Sequence, residues 1–276
     1  MGGPSNRSAG TATASAWIPV AMVTAAAVVP VLRLPVLLVV AAAAGTALLR
    51  RPATRPVGAW IAWISVLPVA VALAVGLVPD PAVADPGGCD DLLAAPVVRR
   101  VVQAALVLGT IALLAPRMGG RRSLGIVLPP DRRVTLLAAA SPVLVPILFV
   151  AGPFLARPFF GEVQLGLPSP AALLPAAVFA LANAALEETA YRGAVQRWGA
   201  GVLGRSGAIV AQALLFGSAH QGADVLAGGP LLWLGVVAGG LVAGVVADRT
   251  RSLLLPFAVH AALDIPVALA LTCRLA

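Results

Sequence analysis

Lysine is absent from this chain of 276 residues, and all 19 basic side chains are arginine. Charge of either sign is scarce: 11% of residues are charged, against roughly 25% in soluble domains. A water-facing fold needs a polar outer surface, which this composition does not supply, so a soluble globular domain is excluded. Two cysteines are too few for a disulfide framework. Histidine also occurs only twice, at positions 220 and 260, and each interrupts a stretch that is otherwise apolar.

What is abundant is apolar: 60% of residues are hydrophobic and the mean hydropathy is +0.97. The expected fold is an all-α, polytopic transmembrane helical bundle. Nine apolar segments lie at about 17–32, 34–49, 57–78, 97–115, 134–156, 171–191, 206–226, 230–247 and 252–272. Only Arg33 separates the first two, so they form either a tight hairpin or one bent helix, and the count is eight or nine.

A formal charge of +8 raises nucleic acid as a partner. The arginines, however, occupy short loops between apolar runs, which is the positive-inside pattern of a membrane protein. Placing the N-terminus in the cytoplasm puts 14 of the 19 arginines on that side, among them Arg50, Arg51, Arg121, Arg122, Arg132 and Arg133. Arg33, Arg99, Arg100, Arg157 and Arg274 then face outward, together with Asp80, Asp85, Asp90, Asp91, Glu162 and Asp224. The expectation is N-in and C-out, with the lipid bilayer as partner and no nucleic acid.

Three parts follow: a polar, disordered tail over 1–16, N-terminal transmembrane helices over 17–115, and a core over 116–276. The tail does not read as a cleavable signal peptide. Residues 79–91, with their prolines and aspartates, form an outer loop. Residues 116–133 form an arginine-rich cytoplasmic loop suited to anionic headgroups. Cys89 and Cys273 fall on the same outer side; two free thiols are the simpler reading and a disulfide the other. Gly235-x-x-x-Gly239 and Gly240-x-x-x-Gly244 allow close helix approach, within the bundle or between two copies.

Ionisable groups at membrane depth cost about 2.5–3.5 kcal/mol each on insertion and are functional candidates by default. Glu187 and Glu188 break one apolar run, and neighbours on a helix point about 100° apart, so they take different roles. Glu188 and Arg192 are spaced i,i+4 with the acid first, the favoured order for an ion pair. Glu187 is left on another face as the candidate catalytic base. His260 and Asp264 are also i,i+4, so the carboxylate is expected to hold one ring nitrogen and fix the tautomer. Phe216 and His220 share that spacing, which sets an aromatic ring beside the second imidazole.

Taken singly, each residue has an ordinary structural use: a packed histidine, a structural ion pair, a capping aspartate. Taken jointly, a carboxylate, two imidazoles and an orienting aspartate suit activation of water for attack on a peptide carbonyl. One difficulty is depth. Straight helices ending at these boundaries put Glu187 and His260 about 10 Å from the cytoplasmic surface and His220 about 20 Å from it, too far for one site.

Glu187-Glu188-x-x-x-Arg192, Phe216-x-x-x-His220 and His260-x-x-x-Asp264 resemble, in order, the signatures of the CAAX-protease and bacteriocin-processing membrane endopeptidases. The lead-in Ser252-Leu253-Leu254-Leu255-Pro256 and the loop Ser123-Leu124-Gly125 are similar too, and the likeness spans roughly 120–272. The resemblance implies an intramembrane endopeptidase in a bacterial cell membrane that cuts a peptide or membrane-protein substrate. Glu187 would activate water, His220, His260 and Asp264 would assist, and Glu188 and Arg192 would support them. Relatives remove the last three residues of prenylated proteins, or serve bacteriocin maturation or self-immunity.

The compact His-Glu-x-x-His zinc signature is missing. Two histidines and a glutamate on three helices still make a zinc set with an open position, so a metal-free site and a zinc site held by Glu187, His220 and His260 both stand. Two other functions compete. A non-catalytic immunity or scaffold protein would keep the fold without turnover. A proton-coupled transporter would also bury Glu, His and Asp, but the inverted repeats of that class are not evident.

Overall fold

The computed structural model describes residues 94–160, 170–220 and 229–272, together with Gly58, Trp60 and Ile61. The first two apolar segments, nearly all of the third, the loop at 79–91 and both cysteines lie outside these residues. Among the described residues all regular structure is helical and there is no strand. Among the described residues four helices are long and apolar enough to cross a membrane: Pro96–Met118, Arg132–Leu155, Pro170–Ala219 and Gly229–Thr250; Leu254–Leu269 is a shorter apolar helix.

In chain order, α1 (Ala94–Leu114) leads into two tight 3-10 turns, Ala115–Met118 and Gly120–Leu124. Gly119 and Gly125 end them at φ 98° and 77°, a left-handed conformation that a side chain disfavours. The arginine-rich loop is thus ordered rather than open. Asp131 then starts α2 (Arg132–Ala140) by accepting a hydrogen bond from the Arg133 amide at 2.9 Å, which satisfies one of the free donors of the first turn. A 3-10 turn (Ser141–Val143) joins α2 to α3 (Leu144–Phe160).

The central feature is α4 (Pro170–Glu187), which continues as a π-helix over Glu188–Trp198 and then as α5 (Gly199–Ala219). α6 (Gly229–Thr250) and α7 (Leu254–Thr272) follow. The apolar segments end at about 191 and resume at about 206, and the helix runs through the residues between them. The break falls instead at Gly204, whose φ 72° and ψ 168° are not helical. There the chain doubles back: Gln196 and Gln212 both meet Gly244, Tyr191 packs edge-on to Phe216, and Glu187 faces His220. These pairings are symmetric about Gly204, which makes an antiparallel hairpin.

Small residues set how closely the helices approach. Ala172, Ala176, Ala180 and Ala184 recur every four residues along α4 and are fully buried. The first two meet Ala268 and Leu269 of α7. Gly240 lies against Ala213, and Gly244 against Gln212 and Gln196, so the second glycine pair packs inside the bundle. Gly235 and Gly239 meet nothing within 4 Å in the described protein and remain on an exposed face.

Candidate functional site

Four helices bring the candidate residues together. Glu187 ends α4, Glu188 and Arg192 begin the π segment, His220 caps the end of α5, and His260 and Asp264 lie on α7. The expected difference in depth disappears because Gly204, not residues 192–205, is the turn. Glu187 and His220 stand almost equally far from it along the chain, so they come level. His220 Nε2 is 3.8 Å from Glu187 Oε2, and His260 Nε2 is 3.5 Å from the same oxygen.

The outer nitrogens of the two rings are both held. His220 Nδ1 is 2.8 Å from the Phe216 carbonyl oxygen, which only accepts, so Nδ1 carries the proton. His260 Nδ1 is 2.7 Å from Glu188 Oε1. That contact corrects the expectation that Asp264 fixes the His260 tautomer: Glu188 holds the ring, and Asp264 Oδ2 stands 3.6 Å from Nε2. Asp264 is bonded instead by Asn183, whose amide donates to Oδ2 at 2.8 Å.

Glu188 also meets Arg192 at 3.0 Å, as the spacing predicts. The Arg192 guanidinium lies over the Phe216 ring, 4.2 Å from its centroid. Phe216 in turn stacks obliquely on His220, with centroids 4.5 Å apart, and meets His260 edge-on at 6.1 Å. One aromatic ring therefore touches the cation and both imidazoles. Glu187 Oε2 and Glu188 Oε2 are buried with no hydrogen-bond partner among the described residues.

Arg100 was not singled out in the sequence, which counts it as an outer flank of α1. Its Nη1 is 3.9 Å from Glu187 Oε1, and its guanidinium lies 5.4 Å from the Phe179 ring centroid. Asn183 was also missed. The available signal was a lone amide one helical turn before Glu187, set into the alanine seam.

Beside Glu188 lies a cavity of about 420 Å³ with apolar walls, formed by Ile126, Val127, Leu128, Leu253, Leu254 and Phe257. The loop after Ser123-Leu124-Gly125 and the lead-in Ser252–Pro256 build it jointly. The Leu253 amide donates to the Gly125 carbonyl at 3.0 Å, and the Ser252 hydroxyl donates to the Val127 carbonyl at 2.5 Å.

Among the described residues no group of three or more His, Cys, Asp or Glu is arranged as a metal-holding set.

Residues 169–266 match the family model of the Rce1-like proteins, the type II CAAX prenyl endopeptidases. No curated protein and no solved structure matches the chain significantly. The family match points to a CAAX-type intramembrane protease, and it spans all six motif residues.

Proposed function

We propose, from the match of residues 169–266 to the Rce1-like endopeptidases, that this protein hydrolyses a peptide bond at the membrane with Glu187 as the base. The observation that carries the reading is Glu187 Oε2. It is a buried oxygen without a hydrogen-bond partner among the described residues, flanked by the Nε2 atoms of two histidines from two other helices. At 3.5 and 3.8 Å neither ring nitrogen makes a close hydrogen bond to this oxygen, and a water seated beside all three atoms would meet the carboxylate and both imidazoles.

In this mechanism the water gives a proton to Glu187 as its oxygen attacks the carbonyl carbon. His220 Nε2, with Nδ1 committed to Phe216, accepts a hydrogen bond from the water's second hydrogen, which stays on the attacking oxygen, and so orients the nucleophile. His260 lies among three carboxylates, Glu187, Glu188 and Asp264. Protonated on both nitrogens, it donates from Nδ1 to Glu188 and from Nε2 to the oxyanion. Collapse breaks the C–N bond, and Glu187 returns its proton to the leaving nitrogen. Glu188 and Arg192 hold the His260 ring in place. The apolar cavity beside Glu188 suits a hydrophobic side chain or segment next to the cut bond.

The test is cleavage of a peptide library by the reconstituted protein, with and without a chelator. Glu187→Gln, His220→Ala and His260→Ala are each expected to lower kcat/KM by at least about 100-fold, the lower end of general acid–base contributions. Undiminished cleavage by Glu187→Gln would remove that residue as the base. Inhibition by chelator that added zinc reverses would replace this mechanism with a metal-dependent one.

A further inference from the structure

A second cavity, of about 580 Å³, opens at the arginine-rich end of the bundle, between the 3-10 loop, the close of the π segment and the start of α5. It holds none of the residues assigned to the hydrolytic site. Three guanidinium groups, Arg122, Arg197 and Arg205, line it against a single carboxylate, Asp248. Arg205 Nε pairs with Asp248 Oδ2 at 2.5 Å, so that acid is already engaged. Arg197 donates from Nη2 to the Ala247 carbonyl at 3.0 Å, while its Nε is buried with no hydrogen-bond partner among the described residues. The guanidinium packs against Gly125, where any side chain would overlap it. Arg122 is exposed at the rim.

Three guanidiniums against one carboxylate leave surplus positive charge, which calls for an anion with several acceptor oxygens. A guanidinium fork matches phosphate oxygens two at a time. The Trp198 indole, whose nitrogen donates to the Ser123 hydroxyl at 3.2 Å, forms one wall. Indoles favour the level of lipid headgroups. Arg117, Arg121, Arg132 and Arg133 belong to the same loop and its junction with α2, and basic pockets of this kind between membrane helices bind anionic headgroups. The volume suits a phosphate group with a small polar substituent. We propose that this cavity binds a phosphate group, as presented by the headgroup of an anionic phospholipid.

The experiment measures binding to the full-length protein in neutral detergent of three probes: short-chain phosphatidylglycerol, short-chain phosphatidylcholine and inorganic phosphate. Phosphatidylglycerol is expected to bind at least tenfold more tightly than phosphatidylcholine. Arg122→Gln combined with Arg205→Gln should weaken it about tenfold, whereas Asp248→Asn, which removes the one acid, should tighten it. Inorganic phosphate binding as tightly as the lipid, with the same response to the variants, would uphold the phosphate site and assign it to a soluble ligand. The proposal is overturned if no probe exceeds phosphatidylcholine. It is also overturned if Arg132→Gln with Arg133→Gln, which do not line the cavity, weakens binding equally.

Discussion

Glu188 and Arg192 are each 1% exposed, so neither charge has water to fall back on. Their pairing was legible because i,i+4 spacing is a local property of any helix. The bond from His260 to Glu188 was not, because it joins residues 72 apart along the chain; local spacing pointed to Asp264 in its place. Removing one partner of a buried pair strands the other charge. Glu188→Gln is therefore expected to cost about 3–5 kcal/mol, read by denaturant unfolding in detergent. Asn183 and Asp264 form a second buried contact across α4 and α7. A double-mutant cycle with Asn183→Ala and Asp264→Ala should show a coupling of about 0.5–3 kcal/mol. A coupling near zero would mean that the hydrogen bond does not join the two helices.

Helix positions were readable from runs of apolar residues, but helix ends were not. Residues 192–205 contain three arginines and four glycines and lie between two apolar segments. In the structure Arg192 is buried in an ion pair, Arg197 bonds a carbonyl of α6, and the helix continues until Gly204. The widened π turn at Glu188–Trp198 has no signature in residue type either; such insertions often occur at functional sites. Gly204→Ala would force a side chain into a left-handed conformation and is expected to cost about 1–3 kcal/mol. It should also lower activity, because the register of Glu187 against His220 is set by that turn. On α6, Gly235→Ala and Gly239→Ala should stay within about 0.5 kcal/mol of wild type. Gly240→Leu, pressed against Ala213 and Phe216, should destabilise by about 1–3 kcal/mol. Thermal unfolding of the variant series separates the two faces.

Across the whole molecule, the family-matched segment is braced by residues that precede it. Arg100 of α1 reaches Glu187. Trp60, fully buried, donates its indole N–H to the Val195 carbonyl of the π segment at 2.9 Å and lies against Gly199. Trp60→Phe removes a buried hydrogen bond and is expected to cost about 1–3 kcal/mol. A chain beginning at residue 94 loses the same brace and should unfold at a lower temperature than the full protein. Equal melting temperatures would show that the later helices hold the site unaided.

Composition and spacing were enough for some conclusions: a membrane setting, all-helical structure, and the i,i+4 pairs Glu188–Arg192 and Phe216–His220. These depend on hydrophobicity and helical period, which are local. The meeting of Glu187 with both histidines, the holding of His260 by Glu188, and the reach of Arg100 depended on where the chain turns and which helices touch. In a bilayer nearly every helix face is apolar, so hydrophobic pattern does not mark which face meets which neighbour. With 28 glycines in the chain, nothing in residue type distinguishes Gly204 as the one that reverses it; the packing of α5 back onto the π segment does.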